Sequence, residues 1–150
     1  MTVTGDDTHA IRCTGTDGAG NTGTATATVK LDATAPAVTC RPRPSVLWPP
    51  NHRLVTVYVD VDVHDATSER DGFTLTSVTS SEPDTGLGPD DRSGDIQDWN
   101  VGKPDTVGKL RAERAGDGPG REYRLTYVAS DRAGNTTSCV AVVTVPHSHP

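Results

Sequence analysis

A chain of 150 residues with only 33% apolar and 4% aromatic side chains holds one domain with a thin core, or one domain and a fragment. Its net charge of −6 argues against nucleic acid and anionic membranes as partners, and no apolar run approaches membrane-spanning length. Thr and Val dominate, while fifteen Gly and eleven Pro punctuate the chain, a composition that predicts short strands and turns with no sustained helix. Polar residues follow Met1, so no export signal is visible; the expectation is a segment of a longer exported protein.

The first predicted element is a hairpin. Residues 14–29 read TGTDGAGNTGTATATV, and residues 128–143 read VASDRAGNTTSCVAVV. Asp17-Gly18-Ala19-Gly20-Asn21 aligns with Asp131-Arg132-Ala133-Gly134-Asn135, and a strand follows each. Ala25, Ala27, Val29 and Leu31 alternate with Thr24, Thr26, Thr28 and Lys30, which predicts one buried and one wet face. In each DxxGN stretch Asp can bond turn amides and Gly tolerates positive φ, so these acids are read as turn formers before metal ligands. A self-match of this kind indicates an array of modules. The first copy holds too few strands for a sandwich. Residues 1–35 therefore read as the C-terminal hairpin of a preceding repeat, residues 36–146 as a complete module and 147–150 as a tail. The alternative is a hairpin that adds to the main module's sheet.

The module opens at Val38 to Cys40, with Pro42 and Pro44 expected to stop pairing. From Leu54 to His64, five valines at 55, 57, 59, 61 and 63 face one way, while Thr56, Tyr58, Asp60, Asp62 and His64 face the other. Thr74 to Ser80 is a weaker strand, followed by a long acidic, Gly-rich loop over residues 81–105. Val107 to Arg114 sets Leu110 and Ala112 against an outer face of Lys109, Arg111 and Glu113. Tyr123, Leu125, Tyr127 and Ala129 form another inward row. Thr136 to Val145 closes the module with Cys139, Ala141, Val143 and Val145 inward. About seven strands at this spacing predict an all-β, immunoglobulin-like sandwich of antiparallel strands.

Cys40 near the module start, Tyr127-Val-Ala-Ser-Asp-Arg-Ala-Gly-Asn135, and Cys139 in the last strand resemble the hyalin-repeat (HYR) and related bacterial immunoglobulin-like families. Leu47-Trp48-Pro49-Pro50-Asn51-His52 together with Leu110-Arg-Ala-Glu-Arg114 is similar to C-terminal modules of secreted actinobacterial and other bacterial proteins. The resemblance covers residues 36–146 and the DxxGN hairpin before them. It implies an immunoglobulin-like fold, a spacer or adhesive role, and no catalytic residues. It also implies a bridge between Cys40 and Cys139, both of which fall on the inward parity of their strands. Cys13 aligns with Tyr127 instead, so its partner would lie upstream; Cys13–Cys40 is the rival pairing.

Four constellations could carry chemistry. Glu82, Asp84, Asp90, Asp91, Asp95 and Asp98, interspersed with Gly86, Gly88, Gly94 and Gly102, offer the hard oxygens that Ca2+ prefers, in no EF-hand spacing. Lys109, Arg111, Arg114, Arg121 and Arg124 would otherwise neutralise them. Asp60, Asp62 and His64, with Asp65 beyond them, read as a wet strand face that discourages edge pairing. His52, His147 and His149 lack metal-site spacing, and His52 is expected to order a corner. Tyr58 and Trp99 are candidate carbohydrate platforms, whereas Trp48 is expected to be packed. No nucleophile elbow, HExxH or phosphate loop is present.

The expectation is a non-catalytic structural or adhesion module, secreted or at the cell surface. Its partners would be neighbouring repeats, a polysaccharide or cell-surface ligand, or a strand-swapped second copy. The alternative is a calcium-dependent or carbohydrate-binding ancillary module of a secreted enzyme.

Overall fold

The computed structural model describes residues 4–66 and 70–148. Among these residues there are nine strands and no helix: β1 (Asp7–Thr16), β2 (Thr22–Leu31), β3 (Ala37–Arg43), β4 (Leu54–His64), β5 (Arg70–Ser80), β6 (Ile96–Gln97), β7 (Val107–Arg111), β8 (Gly120–Asp131) and β9 (Thr136–Pro146). They form three antiparallel sheets, ordered β1-β2, β3-β4-β7-β6 and β5-β8-β9. Seven strands, β3 to β9, belong to the main module.

Period-2 alternation decides which side of each strand meets the core. On β4, Val57, Val59 and Val63 are buried while Tyr58 points outward, 54% exposed. On β8, Tyr123, Leu125, Tyr127 and Ala129 are fully buried. Side chains from both larger sheets join in one cluster: Val57, Val59 and Leu110 meet Leu75, Tyr123, Leu125, Tyr127, Ala141, Val143 and Val145. Phe73 packs edge-on against Tyr127, with ring centroids 5.9 Å apart. Burying each such side chain contributes about 1.5–3 kcal/mol, so this all-β sandwich coheres through its two inner faces. Residues 45–47 run beside β9, with the Leu47 amide donating to the Thr144 carbonyl and the Thr144 amide to that of Ser45.

Several expectations change. β3 continues through Pro42, which lies opposite Val59; β3 is an edge strand, where proline removes no bond from a second neighbour. β7 ends at Arg111, and its outer parity is wet only at Lys109: Arg111 is 7% and Glu113 1% exposed, because the 81–105 loop covers them. Trp48 is 40% exposed rather than packed.

The β1-β2 hairpin forms its own sheet, in register from Asp7↔Leu31 to Thr16↔Thr22. Nearly all its side chains are exposed on both faces. The sequence repeat is a repeat in geometry. Asp17 accepts from the Asn21 amide and side chain, each at 2.9 Å, and Asp131 accepts the same pair from Asn135 at the same distances. Gly20 and Gly134 take φ of 88° and 93°, the left-handed conformation that glycine adopts without a Cβ clash.

Cys40 on β3 and Cys139 on β9 lie at disulfide distance, with Cα atoms 5.9 Å apart and a separation of 99 positions in sequence. Cys13 is free and exposed. Replacing both Cys40 and Cys139 by Ala is expected to cost about 3–5 kcal/mol in denaturant unfolding, because the cross-link closes a long loop in the unfolded chain. Alkylation of unfolded, unreduced protein should label Cys13 and leave the other two unmodified.

Candidate functional site

The 81–105 loop leaves β5, contributes β6 and returns into β7. Its centre is a buried charge network. Asp95, 2% exposed, receives Arg111 Nε on Oδ1 at 3.0 Å and Arg121 Nη1 on Oδ2. Arg121, fully buried, also donates to Glu82 at 3.2 Å, to the Tyr123 hydroxyl at 2.9 Å and to the Pro83 carbonyl at 3.0 Å. Its guanidinium carbon lies 5.5 Å from the Tyr123 ring centroid. Arg111 spends its remaining donors on the carbonyls of His52, Ser93 and Gly94. Two arginines face two carboxylates, so the buried charges balance and their hydrogen-bonding capacity is largely used.

The other loop acids are also engaged. Asp84 accepts from the amides of Asp95 at 2.8 Å and Gly94 at 2.9 Å, and these two bonds hold its carboxyl below the usual range. Asp98 pairs with Lys109 at 2.7 Å on the surface, where such a pair is worth little. Asp90 and Asp91 line a cleft of about 140 Å³ with His52, Leu87, Glu113 and Arg114. In that cleft Asp91 Oδ2 takes the amides of Gly86 and Leu87, while Glu113 meets His52 Nδ1 at 2.9 Å and the Arg92 amide at 3.2 Å. Burial first, and the Asp91 carboxyl second, push Glu113 upward; a hydrogen bond from Glu113, followed by the Leu87 amide, lowers Asp91. Asp91 Oδ1 is buried with no hydrogen-bond partner. His52, at φ 61°, orders the corner by donating its amide to Ala112. Five of the six loop acids thus fasten the loop at separate points, while exposed Asp90 lines the cleft.

The remaining candidates are dispersed. Asp60 pairs with Arg43 at 2.7 Å on the exposed face. His147 meets the Gly116 carbonyl at 3.1 Å, and His149 lies outside the described residues. Tyr58 stands on the outer face of its sheet, whereas Trp99 packs against the core cluster, close over Gly108, and donates Nε1 to Lys109 O at 3.3 Å. The two rings occupy opposite sides of the sheet and form no common platform.

At the other end of β8, the second DxxGN turn grips the linker from the hairpin. Asn135 Nδ2 donates to the carbonyls of Asp32 at 3.2 Å and Thr34 at 3.3 Å. Carboxylate oxygens of Asp32, Asp65 and Asp131 converge there within 4.8 Å of one another. These three acids lie far apart in sequence, where no local pattern groups them. The available signal was that each follows or ends a strand reaching the same pole. Comparison with family models, curated proteins and solved structures finds no match for the chain.

Asp95→Ala should destabilise the fold by about 3–5 kcal/mol in urea unfolding, because it removes the carboxylate shared by two buried arginines and leaves Arg111 without its anionic partner. The Glu113 carboxyl, raised above its ordinary 4.5, binds its proton more tightly folded than unfolded. Its contribution to stability is therefore present at low pH and lost as pH rises from 4.5 through the folded value. Glu113→Gln keeps a donor facing Asp91 at every pH, so melting midpoints across that window should flatten relative to wild type. Asp84 and Asp131, both lowered, act with the opposite sign: their contribution is present at neutral pH and lost on acidification below the ordinary aspartate value.

Proposed function

We propose that this chain is a non-catalytic structural module of an exported protein, an immunoglobulin-like, hyalin-repeat-type unit that spaces or presents its neighbours in a tandem array. The observation that carries this is the grip of Asn135 on the linker at Asp32 and Thr34. A turn that recurs in both copies, and in the second copy holds the backbone entering the module, is a device for setting one unit against the next. Asp6 adds a second fastening, accepting from the Ala33 amide at 2.8 Å and the Thr34 hydroxyl.

Strand order supports the immunoglobulin-like assignment. With β3 to β9 lettered A to G, the two sheets run A-B-E-D and C-F-G, the order of a constant-type immunoglobulin sandwich. The exposed hairpin supports an array, since an isolated two-stranded sheet is marginal in water; it would be completed by strands of a preceding repeat, or by those of a second copy. A cross-linked cysteine pair fits an oxidising, extracellular setting. The His52–Glu113–Asp91 cleft, about 140 Å³, is small beside the ~300 Å³ or more of usual ligand pockets, and its carboxyl pair latches the loop.

Asn135→Ala tests the array. Small-angle scattering in chelator should show a wider spread of dimensions, and proteolysis within residues 32–36 should quicken, while the module loses only about 1 kcal/mol for the missing hydrogen bonds. Unchanged scattering and cleavage would remove the support for a fixed junction. Retention of the wild-type chain on polysaccharide would favour a sugar-binding module instead.

A further inference from the structure

The outer edges of the two larger sheets all carry features that resist strand addition. β3 holds Pro42, β6 is two residues long, and the register of β5 shifts twice. The β5 edge is also occupied, since Leu75 donates its amide to Lys103 and accepts from that of Gly102. Residues Ser45 and Leu47 bond the edge of β9 at Thr144. β1 and β2 have none of these features. Each is ten residues long, without proline and in unbroken register, and among the described residues β1 pairs with β2 alone.

The two hairpin edges are not equivalent. The shared turn aligns β1 with β8 and β2 with β9. In the module, β8 carries β5 antiparallel along its other edge, from Arg70↔Asp131 to Ser80↔Tyr123. β1 thus presents the edge that in the module receives an antiparallel strand. The Asp17 amide donates to the Asn21 carbonyl at 2.9 Å, and antiparallel bonds alternate, so odd-numbered residues of β1 bond β2 and even-numbered ones turn outward. Thr8 shows this parity, its amide donating to the Asp7 carboxylate at 2.6 Å rather than to β2. Ala10, Arg12 and Thr14 share it.

We propose that this edge joins two copies of the chain, β1 against β1, about a two-fold axis at Ile11. A two-fold perpendicular to the sheet sets residues of like parity opposite one another. β1 spans Asp7–Thr16, so overlap is fullest with the axis at Ile11 or at Arg12. The axis at Arg12 opposes like charges, which is unfavourable. With Ile11 on the axis, Ala10 faces Arg12 of the second copy in a pair that exchanges backbone bonds. The two Ile11 side chains then meet in a pair that does not, where side chains lie closer. Joining two hairpins exceeds the minimum of about three strands for independent stability, and it gathers Ile11 and Val29 of both copies on one face. The same axis sends the two linkers to opposite ends of the joined sheet, so the modules do not collide. One strand pair buries less than a standard interface of ~1,600 Å², so the association is weak. The inference goes beyond the spacer reading, which needs only the grip of Asn135 on the linker.

The test is sedimentation equilibrium of the Cys13→Ser chain, which excludes cross-linking through the free thiol, from micromolar to millimolar protein. The average mass should climb from one chain toward two and no further. Ala10→Pro, at an outward amide, should weaken association about tenfold or more. Thr26→Pro, at the outward parity of β2, should associate as Cys13→Ser alone does. Ile11→Cys in the same background should form a disulfide-linked dimer with oxidised glutathione, because facing Cβ atoms lie about 4.5–5.5 Å apart. That variant keeps every backbone bond, so its result stands whether or not the proline variants keep the hairpin. Monomer at millimolar protein, growth beyond two chains, full association by Ala10→Pro, loss of association in Thr26→Pro, or no cross-link at residue 11 would each overturn the proposal. A monomer would leave the spacer role to the scattering and proteolysis of Asn135→Ala.

Discussion

Asp95 stands between two arginines that belong to different sheets, Arg111 on β7 and Arg121 on β8. Its carboxylate ties the 81–105 loop to both layers of the sandwich at once. Taking these ions out of water is expensive, and their mutual attraction offsets the cost only where the geometry is nearly complete. Here Arg121 adds Glu82, the Tyr123 hydroxyl and the Pro83 carbonyl, and the Tyr123 hydroxyl donates in turn to the Arg111 carbonyl at 2.9 Å. Moving the loop would strand charges in the interior, so a segment rich in glycine and acid is held in one arrangement.

That network also settles what the loop acids do. Asp84 and Asp91 both bind backbone amides. Each fastens a different stretch of the loop. Carboxylates that already accept from fixed donors have little left to offer a cation.

Along β8, Asp131 lies ten positions beyond Arg121, about 33 Å of strand, so the loop network and the linker clasp sit at opposite ends of the module. The Cys40–Cys139 pair joins β3 to β9 between the layers. Each end has its own polar fastening over a common apolar core. At the linker end, the DxxGN turn closes β8 onto β9 and also reaches the incoming chain through the Asn135 amide. One side chain therefore serves both the hairpin and the junction, which ties the placement of the preceding hairpin to the fold of the module.

Much of the sandwich was legible in the sequence. Alternating valines on β4 and the row from Tyr123 to Ala129 declared their buried faces, because a strand's period of two is written residue by residue. The DxxGN turns were legible for the same local reason: Asp, Gly and Asn act within five residues. The burial of Arg111, Glu113 and Arg121 was not, since their parity marks a face and only the loop folding over it decides whether that face is wet. Nor was the meeting of Asp32, Asp65 and Asp131, whose proximity depends on strand closure across a hundred residues. Local periodicity determined the strands, the turns and the all-β class. Tertiary closure alone decided which charges were buried together and where three distant acids converged, because electrostatic partners are chosen by space and not by position along the chain.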